Sequence, residues 1–238
     1  MGEYGPQGWW PLFDLRQTDA SEPDLQKGYH PGNYDYPQSE KQRFEIAIGS
    51  ILTQNTSWVQ VEKALGNLYE KGWLTPEGML NADENSLKQA VRPAGYYNQK
   101  AERLKIIARF FLERKERRLS SSSPERGELL ALKGVGPETA DSILLYAFHE
   151  PEFVVDAYTR RLAVSLGWLQ GCESYQEVKE LFVATLPRDV QLFQEYHALI
   201  VTHLKKCPAH PKVQTHPSSY KLLKEKGCLL ASLYRELA

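Results

Sequence analysis

The chain has 238 residues, with 29 Lys+Arg against 30 Asp+Glu and a formal charge of −1. That length accommodates one large domain or two small ones with a sizeable core, and a charged fraction of 25% excludes a disordered or fibrous chain. Near-neutral charge also excludes a polycation that coats nucleic acid by bulk charge, although a local basic face remains open, because affinity comes from the few phosphates a surface touches.

Residues 1–39 hold five Pro and five Gly and read as an irregular arm. Its apolar content (Tyr4, Trp9, Trp10, Leu12, Phe13, Leu15) implies that it packs on something. From residue 40 the pattern turns helical, with Phe44, Ile48, Ile51 and Leu52 at spacings of three and four. A polar break, Thr53-Gln54-Asn55-Thr56, separates this from a second helix carrying Val59, Val61, Ala64, Leu65 and Leu68, with Thr56 or Ser57 as its cap. Residues 80–91 form a shorter candidate, Arg92-Pro93-Ala94-Gly95 a turn, and 98–118 a long amphipathic helix. That helix carries eight Lys/Arg and three Glu, a pattern that either tracks phosphates or is a solvated face.

After a linker at 120–124, residues 125–148 read helix–turn–helix, followed by helices at 157–169, 175–186 and 189–205, a Pro- and His-rich loop at 207–219, and a last helix at 220–236. No period-2 pattern is long enough to build a sheet, so the expected class is all-α. No run of 18 apolar residues predicts a membrane span, and residues 1–10 lack the basic stretch and apolar core of a secretory signal. Three cysteines (Cys172, Cys207, Cys228) are an odd, sparse set that suits a reducing cytoplasm.

The most informative segment is Leu132-Lys133-Gly134-Val135-Gly136-Pro137-Glu138-Thr139-Ala140-Asp141. Two glycines flank one apolar residue, Pro137 suits a first helical position, and a clean helix follows. Exposed N–H groups at such a helix start favour an anion, most simply a phosphate; a plain tight turn has the same signature. Twenty residues after Gly136 an apolar run, Phe153-Val154-Val155, ends in Asp156 at the start of the next helix, where a carboxylate is also an ordinary N-cap.

With these blocks in place, the chain resembles the helix-hairpin-helix DNA glycosylases of the endonuclease III superfamily. The resemblance rests on FEIAIGSILTQNT (44–56), VRPAGYYNQKAERL (91–104), LKGVGPETADSILLY (132–146) and VVDAYTRR (154–161), and covers about 43–201. The arm sequence GPQGWWP (5–11) is most similar to the subgroup that includes 3-methyladenine DNA glycosylase III. The resemblance implies a two-lobed all-α fold with the active site in the interlobe cleft. The expected division is an arm at 1–39 packed on the second lobe, a helical barrel at 40–148 ending in the hairpin, and a second lobe at 149–238.

It further implies that Asp156 is the essential carboxylate, activating water or stabilising the sugar cation as the glycosidic bond breaks. Bifunctional members carry a Schiff-base Lys two residues after the second hairpin glycine. Here that position is Glu138, which cannot form an imine, so a monofunctional enzyme is expected. Glu138 is read either as a pocket residue or as a helix-end acid, and Asp141 as a helix-end acid. Lys133, Gly134, Val135 and Gly136 are expected on DNA, and Gln54 in the hole left by the flipped base. Trp9, Trp10 and Pro11 are read as a wall of the base pocket, suited to cationic alkylated purines, or alternatively as anchors. Tyr96 and Tyr97 are read as core or interface residues.

The chain departs from the family at two places. The C-terminal loop, from Cys207, holds too few cysteines for a four-iron cluster, so no cofactor and no metal is expected. A zinc site from His203, Cys207, His210 and His216 fits no common spacing. Leu199 stands where the glycosylase III members place a pocket Lys two residues after a helix His, here His197. The expected partner is double-stranded DNA with a damaged base, bound by a monomer inside the cell. The rivals are a bifunctional glycosylase/lyase and a non-catalytic damage-binding protein.

Overall fold

The computed structural model describes residues 4–16, 21–119 and 122–206, and these residues contain helices, turns and loops but no strand. They divide into two compact units, one ending at Glu152 and the other beginning at Phe153. Among the described residues no helix is long and apolar enough to cross a membrane. The helix expected at 220–236 and the loop at 207–219 lie outside the described residues.

The first unit contains α1 (Pro23–Gln26), α2 (Glu40–Leu52), α3 (Trp58–Glu70), α4 (Pro76–Asn81), α5 (Glu84–Ala90), α6 (Tyr97–Glu116), α7 (Arg126–Leu130) and α8 (Pro137–Ala147). Its axis is α2, buried on every side from Phe44 to Leu52 and packed against α3, α6 and α8. A helix that is apolar all round belongs inside, and Ser39 starts it by accepting the N–H of Gln42. Helix α3 is the amphipathic case: Val61, Ala64, Leu65 and Leu68 face the core at helical spacing.

The segment read as one helix at 80–91 is two. Thr75 caps α4, which stops at Ala82 in extended backbone, and Asp83 then caps α5 by accepting the N–H of Ser86. The signal was present in the Thr75-Pro76 and Asp83-Glu84 pairs, which are start sequences. The long helix α6 matches its expected span, yet its basic residues are largely spent inside the fold. Lys105 Nζ reaches Leu80 O (3.3 Å) and Ala82 O (2.7 Å), Arg114 reaches Leu119 O and Ser122 O, and Lys115 pairs with Glu77. The phosphate-tracking reading of this run therefore loses most of its charges to helix ends and partner acids.

The arm was expected on the second lobe; its residues Trp10, Phe13, Asp14 and Arg16 contact helices of the first unit. Trp10 packs edge-on against Trp58 and Tyr146, both at 5.4 Å, and its indole lies over Gly49, where a Cβ would stand 3.0 Å from Nε1. Phe13 stacks on Tyr69 at 5.2 Å and donates its N–H to Glu45 Oε1 at 2.8 Å. Asp14 pairs with Lys41 and Arg16 with Glu62. The physical reason is the flat surface that Gly49 leaves on α2, which accepts an indole face.

The second unit is built on Phe153, which stacks on Phe182 at 4.5 Å and meets Phe193 edge-on at 5.3 Å. Its helices are α9 (Ala157–Ser165), α10 (Tyr175–Thr185) and α11 (Val190–Lys206). A capping box between Ser174 and Glu177 starts α10, and α11 packs on α9.

Candidate active site

The residues singled out in the sequence fall into two sets, one in each unit. In the first unit, α7 and α8 form the helical arms of a hairpin spanning 131–136. Gly134 takes φ +88°, a conformation that disfavours any side chain, and a Cβ there would lie 2.3 Å from Arg103 Nε. Gly136 caps α8 in extended backbone with no atom within 4 Å of a built Cβ, so its face is open. Val135 is buried and anchors the turn. Lys133 is exposed and paired with Glu102 at 2.6 Å.

Asp141 is not a helix-end acid. It is fully buried and holds Arg126 of α7 through Nε–Oδ1 (2.6 Å) and Nη2–Oδ2 (3.3 Å), which locks the two arms of the hairpin together. Glu138 lies in the first turn of α8 and is exposed, which suits the helix dipole.

Gln54 is brought to the hairpin rather than away from it. Its Nε2 donates to Gly134 O and to Thr139 Oγ1, each at 2.9 Å, and its Oε1 accepts from Arg103. The expectation that this amide enters the duplex meets a physical obstacle, because both ends of the group are already satisfied by the fold. Beneath the same turn, the buried Lys100 ammonium donates to Leu52 O (2.8 Å), Thr56 Oγ1 (2.6 Å) and Ala94 O (2.8 Å). Burial, and then the nearby Arg103 charge, lower its pKa to about 8.

Of the arm residues, Trp10 and Pro11 are buried in the first unit, whereas Trp9 is half-buried, with its ring 6.4 Å from that of Trp10. The anchor reading therefore applies to Trp10 and Pro11. Tyr96, read as a core or interface residue, is 67% exposed in left-handed backbone (φ 44°), so it lies outside the core. Nothing in a Gly-Tyr-Tyr-Asn string tells which Tyr faces out.

In the second unit, Asp156 is the N-cap of α9 and accepts the Thr159 N–H at 2.7 Å. The other oxygen, Oδ2, lies 3.6 Å from Nε2 of the buried His197, an ion-pair distance when the ring is protonated. Burial pushes the Asp156 carboxyl up, but the His197 imidazole and the Thr159 N–H outweigh it and hold the pKa below the usual value. The side chain keeps 16% of its surface exposed. Lys205 of α11 lies over the Tyr158 ring and feels the Asp156 charge. Sequence reasoning placed His197 inside its helix and missed its place beside Asp156; 41 residues separate the two, and no local pattern links them.

Of the conceivable zinc ligands, His203 is buried in α11, and Cys207, His210 and His216 lie outside the described residues. Among the described residues no group of three or more His, Cys, Asp or Glu is placed to hold a metal. Three cysteines in the whole sequence do not fit the four thiolates of an all-cysteine iron–sulfur cluster.

Comparison with known proteins agrees with this architecture. The family of HhH-GPD superfamily base excision DNA repair proteins matches residues 48–188. A provisionally named DNA repair glycosylase of Methanocaldococcus jannaschii is 42% identical over 209 residues, which is 85% of this chain and 82% of that protein. Endonuclease III of Thermotoga maritima is 32% identical over 157 residues, 65% of this chain and 71% of that one. Among solved structures, the H. pylori 3-methyladenine DNA glycosylase bound to 1,N6-ethenoadenine is similar with a TM-score of 0.61 and 29% identity, over 71% of this chain and 89% of that chain. The chain thus belongs to the HhH-GPD superfamily of base excision DNA repair proteins and is a DNA repair glycosylase.

Proposed function

We propose that this protein is a monofunctional glycosylase, which as a monomer hydrolyses the N-glycosidic bond of a damaged base in duplex DNA and leaves an intact abasic site. The observation that carries the reading is Asp156: a carboxylate held ionised, fixed in one rotamer by its own helix start, and still open at its surface. As the base leaves, positive charge develops on C1′ and the ring oxygen of the sugar. A fixed negative charge stabilises that state, and the same group accepts a proton from the attacking water. His197 is a positioning residue here, since it reaches the reaction only through Asp156.

The open face at Gly136, the α8 N-terminus and the exposed Lys133 suit a phosphate of the DNA backbone. Glu138, at the position where bifunctional relatives carry their lysine, supports the absence of a covalent step, because a carboxylate forms no imine. Trp9 is the arm residue with surface left to meet a base, and an indole face favours a cationic alkylated purine. The similarity to a glycosylase bound to 1,N6-ethenoadenine supports a modified purine, whereas Leu199 in place of the subgroup lysine points to a different selection among such bases.

The test is base release from duplexes carrying alkylated, oxidised or deaminated bases, with borohydride trapping run alongside. Release from at least one lesion without a trapped adduct is expected, and Asp156→Asn should abolish release while DNA binding changes less than roughly threefold. A covalent adduct would overturn the monofunctional claim. No release from any lesion by the wild type would favour a binding-only protein.

A further inference from the structure

Three turns of the first unit are bonded to one another in series. The hairpin meets the turn at 53–56 through Gln54, whose Nε2 donates to Gly134 O and Thr139 Oγ1. That turn meets the short turn Arg92–Ala94 through Thr56 Oγ1, which donates to Ala94 O at 2.5 Å. Lys100 closes the junction, because its ammonium donates to Leu52 O, Thr56 Oγ1 and Ala94 O together. The Arg92–Ala94 end of this platform is therefore fixed before any ligand arrives, and a contact made there orders little backbone.

The two ends of the platform share a pattern. At the hairpin, Gly136 has no atom within 4 Å of a built Cβ, and the exposed Lys133 stands three residues before it. At the other end, Gly95 takes φ 67°, again with nothing within 4 Å of a built Cβ, and the exposed Arg92 stands three residues before it. An open glycine lets the backbone of another molecule come close. Arg92 also differs from the cations of α6. Arg103 is bonded to Gln54, Lys105 to Leu80 O and Ala82 O, and Arg114 to Leu119 O and Ser122 O. The Arg92 side chain has neither hydrogen bond nor ion pair among the described residues, so no carboxylate is displaced when it meets an anion. A guanidinium presents a planar fork of donors that matches two oxygens of one phosphodiester.

From this geometry we infer that Arg92 is a second phosphate anchor. It binds a backbone phosphate of the duplex separate from the one at the hairpin, and two such points fix the orientation of the platform on the DNA. Arg92 meets the strand and not the reacting atoms, so it is a positioning residue. The inference rests on the reading of the protein as one that binds a damaged duplex.

The experiment measures affinity for a duplex with an uncleavable tetrahydrofuran abasic-site analogue, between about 50 and 200 mM salt. The proteins are the wild type, Arg92→Gln, Arg92→Lys, Lys133→Gln and the double Gln variant, each with its melting temperature. Arg92→Gln should weaken binding roughly tenfold at the lowest salt and reduce the slope of log K against log salt by about 0.9, the value for one phosphate contact. Arg92→Lys should keep most of the slope, and the melting temperatures should match the wild type. The double variant should lose about twice the slope, because the two phosphates are separate. Duplexes with a single neutral methylphosphonate linkage then locate the contact: at one linkage the wild type should weaken and Arg92→Gln should not. A full wild-type slope in Arg92→Gln, a double variant that loses no more than either single one, or the absence of any such linkage would each overturn the assignment. A wild type that binds no duplex would overturn it together with the reading beneath it. Failure of base release alone bears on the enzymatic reading and not on this one, because affinity is what is read.

Discussion

The arm is fastened to the first unit by a buried acid, and that fastening sets a pH dependence that can be worked out. Glu45 is 1% exposed, accepts the Phe13 N–H with Oε1 and leaves Oε2 without a partner. Burial pushes its carboxyl up from 4.5 to about 7, with the Phe13 N–H pulling the other way and the Asp14 charge adding to the rise. Between these two values the folded chain holds a proton that the unfolded chain has released, so stability falls as pH rises. The contribution is complete below pH 4.5 and is lost as pH climbs through 7, by about 3 kcal/mol in total. Glu45→Gln keeps the acceptor for Phe13 and removes the titration. In urea unfolding the two proteins should be equally stable near pH 5, and the variant should be the more stable by up to about 3 kcal/mol near pH 8.5. Other acids, Asp156 among them, titrate with the opposite sign, so the difference between the two proteins is the quantity to read. A difference that stays constant from pH 5 to 8.5 would refute the reasoning.

Two further substitutions probe the hairpin. Gly134→Ala places a methyl group in left-handed backbone and against Arg103, which must swing away and release Gln54; a loss of about 2 kcal/mol in stability together with weaker binding to undamaged duplex is expected by denaturant titration and gel shift. Asp141→Asn leaves the Arg126 guanidinium opposite a neutral, fully buried amide, and a loss of about 3 kcal/mol is expected by thermal unfolding, since breaking a buried pair costs far more than its net worth. An unchanged melting temperature in Asp141→Asn would show that the hairpin arms are held together by packing alone.

What the sequence made legible was whatever is written locally. Helix α2 announces itself by continuous apolar residues, α3 by its i, i+3, i+4 stripe, and the hairpin by Gly134, Gly136 and Pro137 in a four-residue span. The N-cap role of Asp156 was equally local. What stayed hidden depends on partners far away in the chain. The place of the arm was decided by Gly49, a residue whose only mark is the absence of a side chain. Asp141 and Glu138 sit three residues apart with the same local explanation, and only the arrival of Arg126 from α7 separates a buried strut from an exposed acid. Gln54 and Asn55 are adjacent amides, and which of them faces inward follows from the hairpin 80 residues away.

The distribution of cations explains how a chain of net charge −1 can serve a polyanionic partner. The buried Lys100 and Arg114, and the guanidinium of Arg103 behind Gly134, end on carbonyl or amide oxygens of their own fold. Their role is to neutralise carbonyl groups that would otherwise lie unpaired in the interior, and they are not available to DNA without unfolding the turn they hold. Lys133 is the contrasting case: 73% of its side chain is exposed, and its partner Glu102 is exposed as well. An exposed pair of this kind contributes at most about 1 kcal/mol, so exchanging Glu102 for a phosphate costs little. The protein thus keeps these inward cations as structure and holds Lys133 outward at the hairpin. Affinity built this way is local to a few phosphates, which is what a protein needs if it is to leave an intact duplex and stop at one nucleotide.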